Sequence, residues 1–279
     1  MLPRIFNLLV VLFLALPATA VAAPVVFSAA GSATASIQPS VDAFRAELGA
    51  LNPNVSGSFG SGRREINWDG VPDSFSAPNN LPANFFNVNS PRGVVFSTPG
   101  TGFQVSANAT NPTSTPVEFG NIDPSYPSFF APFSPQRLFT PIGSNILDVN
   151  FFIPGTNTPA LVSGFGSVFS DVDLANTTSL TFFDINNNSL GTFFVPNFAG
   201  NETFSFLGVS FGSAVVSRVR IVNGNQVLAP GNTFTDLVVM DDFIYGEPQA
   251  GAVPEPTTML LLGTGLAGVV AKVRRRRKQ

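Results

Sequence analysis

The chain has 279 residues, with 17 acidic and 14 basic side chains, and it contains neither cysteine nor histidine. These absences exclude disulfides, thiol and imidazole nucleophiles, and zinc sites built from Cys and His. Any chemistry therefore depends on carboxylates, hydroxyls, arginines or a cation bound through oxygen. The 29 Phe, 25 Gly and 24 Pro favour many short strands separated by turns over long helices.

The N-terminus has the three parts of a secretory signal. Arg4 precedes an apolar stretch from Ile5 to Leu16, and small residues in A-x-A patterns follow. We therefore expect residues 1–22 to be a signal peptide that is cleaved after Ala22, with Ala20 as the alternative position.

One short helix is predicted outside the two ends of the chain. It covers Pro39–Leu48, with Ser40 as N-cap, and it stops at Gly49. Strand candidates follow, with a hairpin turn expected at 185–189. The candidates are 93–97, 102–107, 147–153, 161–169, 179–183, 190–195, 203–211, 216–222 and 237–245.

Spacings of roughly 8–20 residues between strands, with turns between them, are typical of an antiparallel sandwich or jelly roll. We predict an all-β body over residues 23–247, an antiparallel β-sandwich or jelly roll with one short N-terminal helix. In the preferred organisation the two halves form one composite sandwich. Two domains divided near Pro141 are the alternative.

Four aspartates are candidate ligands of a structural Ca²⁺: Asp171, Asp173, Asp184 and Asp242. Asp171 and Asp173 lie two residues apart, so in a strand both side chains point to one side. Asp184 begins an Asp-x-Asn-x-Asn spacing of oxygen ligands. A hard cation would offset the cost of burying these carboxylates. The alternative is that they are solvated acids in turns.

A binding site for sugars is a further hypothesis. Trp68 could stack on a sugar ring, and Arg63 and Arg64 could bind acidic sugars. The competing interpretation places Trp68 in the core and pairs the two arginines with nearby Glu65 and Asp69.

Hydrolysis of glycosides would need two carboxylates facing one cleft. The candidate pairs are Glu65 with Asp69 and Asp171 with Asp242. Nothing in their local sequence marks an acid/base pair, so we predict that the protein is not an enzyme.

The C-terminus combines a Pro-Glu-Pro motif in a linker over 248–256, an apolar run, and a block of arginines. The run is about 22 Å long as a helix against a hydrocarbon core of ~30 Å, and the flanking basic side chains can reach the headgroups. We predict a single transmembrane helix over 257–273 with a cytoplasmic basic tail over 274–279. The motif residues are Val253, Pro254, Glu255 and Pro256, and the arginines are Arg274, Arg275, Arg276 and Arg277.

This arrangement, over residues 253–279, resembles the PEP-CTERM sorting signal of Gram-negative bacteria. The resemblance implies that a membrane-embedded exosortase processes the protein near the Pro-Glu-Pro and releases it or passes it outward. It also implies an organism that makes an extracellular polysaccharide matrix, so exopolysaccharide is a further candidate partner. It implies nothing about the role of the body.

The net charge of the body makes nucleic acid an unfavourable partner. Residues 24–256 contain seven arginines against 17 acidic residues, a net charge near −10, which disfavours nucleic acid as a ligand. We predict an exported protein, anchored transiently in the inner membrane and then located at the cell surface or in the matrix, with a non-catalytic structural or adhesive role. A lectin-like module that binds exopolysaccharide is the alternative, and a carboxylate-dependent glycosidase comes third.

Overall fold

The computed structural model describes residues 23–233, 236–251, 263–265 and 267. The predicted signal peptide, the Pro-Glu-Pro motif and the basic tail lie outside the described residues. Of the predicted membrane span, only residues 263–265 and 267 are described, and they are helical and exposed. No helix within the described residues is both long enough and apolar enough to cross a membrane.

The described body is mostly β. Its α-helices are α1 (Thr34–Leu48) and α2 (Phe85–Val88). Its strands are β1 (Val25–Gly31), β2 (Arg63–Ile66), β3 (Val94–Ser97), β4 (Gly102–Val105), β5 (Phe139–Ile142), β6 (Ile146–Phe151), β7 (Ala160–Leu161), β8 (Gly164–Ser170), β9 (Ser179–Phe183), β10 (Ser189–Phe194), β11 (Phe204–Ser210), β12 (Arg218–Val222), β13 (Val239–Gly246) and β14 (Gln249–Ala250).

Two antiparallel sheets enclose the main core. The larger has the order β1-β11-β8-β13-β5-β4, with β2 paired to the C-terminal part of β13, and the smaller has the order β10-β9-β12-β6-β3. Phe165 and Phe243 of the larger sheet share one buried cluster with Val149 and Ile221 of the smaller. The prediction of a mostly β body with antiparallel sheets and a short N-terminal helix is confirmed.

Both sheets contain strands from both halves of the chain. β3 forms an edge of the smaller sheet, and β2 and β4 belong to the larger one. Pro141, the predicted point of division in the alternative organisation, lies inside β5. The connection from β4 to β5 forms a separate small apolar cluster that includes Phe119, Tyr126 and Phe130.

α1 covers the outer face of the larger sheet. Ile37, Val41 and Phe44 are fully buried on its inner side. Phe44 lies over Gly166 and Gly208, which face each other across β8 and β11. A Cβ atom at either glycine would lie 2.8 Å from the Phe44 ring, so the two glycines provide the space that this ring occupies.

The predicted start of α1 was wrong. The helix begins at Thr34, and Pro39 lies inside it. Ser40 is not the N-cap, and its hydroxyl donates instead to the carbonyl oxygen of Ser28 in β1 at 3.2 Å. The extra turn buries Ile37 completely. We attribute the earlier start to this burial, because its free energy offsets the loss of the backbone hydrogen bond that Pro39 cannot donate.

A β-bulge interrupts β13. Met240 pairs with Phe169 and Phe243 with Ser167, so Asp241 and Asp242 together face a single residue of β8. In a regular strand these two side chains would point to opposite faces. The bulge removes that alternation and lets both carboxyl groups approach the same neighbouring loop.

Candidate functional site

A polar cleft of about 450 Å³ lies where α1, β2 and β13 meet. We call it the Arg45 cleft. The residues that determine its chemistry are Arg45, Glu65, Asn67, Arg92, Ser134 and Asp242. Arg45 comes from α1, Glu65 from β2 and Asp242 from the bulge of β13, so three separate elements assemble the cleft.

Arg45 joins the two carboxylates of this cleft. Its Nε and Nη2 donate to Oε1 and Oε2 of Glu65 at 3.0 and 2.9 Å. The same Nη2 donates to Oδ2 of Asp242 at 3.2 Å. Arg63 also pairs with Glu65, through Nε and Oε1 at 2.7 Å. Glu65 is therefore held between two guanidinium groups.

The bulge places two buried carboxyl groups beside the cleft. Oδ2 of Asp241 accepts hydrogen bonds from the backbone nitrogens of Phe133 and Ser134 at 2.6 and 3.1 Å. Oδ1 of Asp242 is buried without a hydrogen-bond partner. Burial raises the pKa of both groups, and the charge of Asp242 raises that of Asp241 further. Both carboxyls therefore favour the protonated form more than an exposed aspartate does.

A second cavity, of about 330 Å³, adjoins the Arg45 cleft. We call it the phenylalanine pocket because Phe75, Phe85 and Phe86 line it. Asn67 and Arg92 contribute to the walls of both cavities. An apolar pocket beside a few convergent polar groups is the usual form of a ligand site.

Trp68 lies in the core. It is 1% exposed, its ring stacks on Phe139 with centroids 4.0 Å apart, and its Nε1 donates to the carbonyl oxygen of Asp241 at 3.0 Å. The hypothesis that Trp68 stacks on a sugar does not fit this placement, because no face of the ring is open to solvent. Packing between the two sheets decides this, which the local sequence could not reveal.

Arg63 and Arg64 point to different environments because alternate residues of β2 face opposite sides. Arg63 pairs with Glu65, as the competing interpretation expected. Arg64 is fully buried and donates to Glu247 through Nε and Nη2, both at 2.9 Å. Carbonyl oxygens of the loops around it accept its remaining hydrogens. Neither arginine is free to bind an acidic sugar.

The four aspartates predicted to bind Ca²⁺ lie in three places. Asp171 and Asp173 line a small cavity of about 70 Å³, and Asp242 lines the Arg45 cleft. Asp184 closes the β9–β10 turn, accepting hydrogen bonds from the backbone of Asn186 and Asn188. No cluster of three or more acidic residues that could hold a metal occurs in the part of the chain that the structure describes. Calcium binding stays a prediction, now limited to Asp171 and Asp173.

Asp171 is an unusual carboxyl group. It is 5% exposed, its backbone φ is 71°, and its Oδ1 has no hydrogen-bond partner. Burial and the charges of Asp173 and Asp236 raise its pKa to about 8. Asp236 was not among the predicted ligands, and its Oδ1 accepts a hydrogen bond from the backbone nitrogen of Asp173 at 2.7 Å. Only the fold brings this residue next to the Asp-x-Asp.

The carboxylate pairs proposed for hydrolysis are rearranged. Asp171 lies in the small cavity, away from the cleft residue Asp242. Asp69 accepts a hydrogen bond from the backbone of Arg137, and burial raises the pKa of Asp69 to about 6. The pair that shares the cleft is Glu65 with Asp242. Oε2 of Glu65 and Oδ2 of Asp242 lie 2.9 and 3.2 Å from Nη2 of Arg45, so they are at most about 6 Å apart, whereas the carboxyl groups of glycosidases are about 5–9 Å apart.

Comparisons with known proteins locate one motif. A family model, the PEP-CTERM protein-sorting motif, matches residues 252–277. A search among curated proteins finds no match. Among solved structures, the chain is similar to the crystal structure of the enzymatically active domain of tailspike protein 4 of bacteriophage CBA120. That similarity has 16% identity and a TM-score of 0.26, over 63% of this chain and 22% of the tailspike chain. The chain spans less than a quarter of that protein. At this TM-score the similarity does not establish a shared fold.

Proposed function

The chain carries a PEP-CTERM sorting motif and is thus an exported, sorted protein, and from this premise we propose that it acts at the cell surface or in the extracellular matrix. The motif implies processing by an exosortase. The role that we propose for the body is structural or adhesive and non-catalytic. The single observation that carries this proposal is the sorting motif at residues 252–277, which follows the β body in the sequence directly after β14.

The ion pairs formed by the carboxylates of the Arg45 cleft support a non-catalytic body. A general acid or base needs a carboxyl group that is free to exchange a proton with the substrate. Both oxygens of Glu65 are instead bound by guanidinium groups, so neither oxygen is free to contact a substrate. An arginine also occupies the space between Glu65 and Asp242. This arrangement favours a structural ion-pair network over an acid/base pair.

The alternative role, binding of an exopolysaccharide, has one specific observation in its favour. The Arg45 cleft and the phenylalanine pocket adjoin, and together they offer amide, hydroxyl and guanidinium groups beside apolar walls. A sugar ring presents hydroxyls around its edge and apolar C–H groups on its faces, so this combination suits it.

One experiment separates these roles from a glycosidase. The purified protein is incubated with the exopolysaccharide of the producing organism, and both retention and release of reducing ends are measured. We expect no release of reducing ends, because no free acid/base pair faces the cleft, and retention of the protein would favour the polysaccharide-binding alternative. Release that disappears in Glu65→Gln or Asp242→Asn would contradict the non-catalytic role. Absence of retention would leave a structural role without adhesion to the polysaccharide.

A further inference from the structure

Arg92 differs from the other arginines of the described body in its partners. The structure describes seven arginines between residues 23 and 251, and six of them form ion pairs with Asp or Glu. Arg92 has no carboxylate partner among the described residues, and its Nε is buried without a hydrogen-bond partner. A partly buried cation without a counter-ion is costly unless a ligand supplies the charge.

The backbone of Arg92 is fixed on both sides. Its nitrogen donates to the carbonyl oxygen of Phe86 at 2.8 Å, and its carbonyl oxygen accepts from the hydroxyl of Tyr245 at 3.0 Å. The guanidinium lies over the ring of Phe86, 5.0 Å from its centroid. The position of the charge is thus set by the fold, which lowers the entropy cost of binding a ligand.

The guanidinium of Arg92 remains charged in this position. Burial lowers its pKa, and the nearby charge of Arg64 lowers it further. Arginine nevertheless stays protonated under ordinary conditions, since its pKa in water lies far above neutral pH. A fixed positive charge therefore stands in the shared wall of the Arg45 cleft and the phenylalanine pocket.

We propose that Arg92 binds the carboxylate of an acidic sugar residue whose ring occupies the phenylalanine pocket. This inference rests on the alternative role, binding of an exopolysaccharide, and names the class of sugar residue that is bound. The guanidinium fork matches a planar carboxylate through two hydrogen bonds. Asn67, Asn89 and Ser90 line the same pocket and offer donors and acceptors to ring hydroxyls. The volume of about 330 Å³ is sufficient for one monosaccharide.

The acidic residues of the Arg45 cleft do not oppose this ligand. Glu65 and Asp242 are already bound by Arg45, so the charge of Arg92 is left uncompensated. The body as a whole is acidic, and a carboxylate ligand therefore needs a local positive site to bind. Arg92 is the one arginine in the described body that offers an unpaired charge to it.

The test is calorimetric titration of the purified full chain with a hexamer of uronic acid residues. Maltohexaose serves as the neutral probe of equal length, and monomeric glucuronate distinguishes a small carboxylate from a polymer-borne one. We expect the uronate hexamer to bind more tightly than maltohexaose. Arg92→Gln should weaken its binding by about tenfold or more, because a charged hydrogen bond is lost. Arg92→Lys should bind with intermediate affinity.

Two further variants secure the result. Ser90→Asp adds a negative charge at the pocket and should weaken binding of the uronate hexamer. Arg220→Gln, on the smaller sheet, should bind as the wild type does. Equal affinity of wild type and Arg92→Gln, or equal affinity for the two hexamers, would overturn the proposal. If the wild type is retained by native exopolysaccharide but Arg92→Gln is retained equally, the adhesive role stands and this site is wrong.

Discussion

Arg64 and Glu247 form an ion pair that is completely removed from water. The guanidinium donates to both oxygens of Glu247 and to three carbonyl oxygens of surrounding loops. Desolvating two such ions is expensive, and only complete hydrogen bonding offsets the cost. This pair ties β2 to the segment that follows β13, so it fixes the position of the strand that carries Glu65.

Asp171 provides a prediction about pH at the scale of one residue. Its pKa is about 8 in the folded chain and about 3.9 in an unfolded one. Between these values the unfolded state releases the proton while the folded state keeps it, so the free energy of unfolding falls as pH rises. In the wild type this fall in the free energy of unfolding should reach about 1.4 kcal/mol per pH unit. It should be absent from Asp171→Asn. Urea unfolding of both proteins at pH 5, 6.5 and 8 measures it.

The comparison with Asp171→Asn cancels the contributions of other raised carboxyls, such as Glu118, whose pKa is about 7 because burial and the charge of Glu202 raise it. If the free energies of unfolding of the two proteins differed by the same amount at pH 5 and at pH 8, the raised pKa of Asp171 would be contradicted. Repeating the series with Ca²⁺ tests the calcium hypothesis. A bound cation should stabilise the wild type by about 2.7 kcal/mol at a hundred times its Kd and should have no effect on Asp171→Asn.

At the scale of elements, the contact between α1 and the larger sheet depends on close approach. The helix buries an apolar stripe of four residues, and it reaches the sheet only because β8 and β11 carry glycines opposite Phe44. β-Branched residues at these positions would suit the strands better but would displace the helix. The glycines therefore favour helix packing at the expense of strand propensity.

Gly208→Ala tests this contact. The added methyl group would lie 2.8 Å from the ring of Phe44, and we expect the free energy of unfolding to fall by about 1–3 kcal/mol. Gly70→Ala is the matched control, because nothing lies within 4 Å of its added Cβ, and it should have little effect. Urea unfolding measures both.

The double variant Phe44→Ala with Gly208→Ala extends the test. Once the ring is absent, the methyl group at position 208 has space, so the effects of the two changes should not add. Additive losses, or an unchanged stability of Gly208→Ala alone, would show that the helix is not held by this contact.

For the whole molecule, both predicted processing points lie outside the sheets. Cleavage after Ala22 would precede β1, which pairs with β11 along its full length. Cleavage near Pro254-Glu255-Pro256 would follow β14, which pairs with β7. The body described here would therefore keep every strand after both cleavages.

The intact mass of the protein recovered from the cell exterior tests this sorting. We expect a mature form that begins at Ala23 and lacks the residues after the Pro-Glu-Pro. A variant with alanine at Pro254, Glu255 and Pro256 should retain the C-terminal segment and stay with the cells. A secreted wild-type protein that still carries Arg274–Arg277 would contradict processing at the motif.

The sequence alone determined the sorting motif and most strands. The motif depends on the linear order of Pro-Glu-Pro, apolar run and arginines, which needs no folding to be read. All nine strand candidates overlap observed strands, because apolar runs or apolar–polar alternation bounded by turn residues are typical of strands. β1, β2, β5 and β14 were not predicted. β1 is rich in small residues, β2 is half arginine and β5 contains Pro141, so none of these three has such a pattern, and β14 has only two residues and lies in the predicted linker.

Only the tertiary structure decided which side chains meet. Arg45 lies on α1, Glu65 on β2 and Asp242 on β13, and sequence distance gave no reason to place them in one cleft. The bulge that brings Asp241 beside Asp242 depends on how β13 pairs with β8. The unpaired charge of Arg92 is likewise a property of the fold, since it depends on no acidic side chain of the described body lying within ion-pair distance of it. Local patterns encode burial and turns, whereas the contacts that form a site are set by strand order and register.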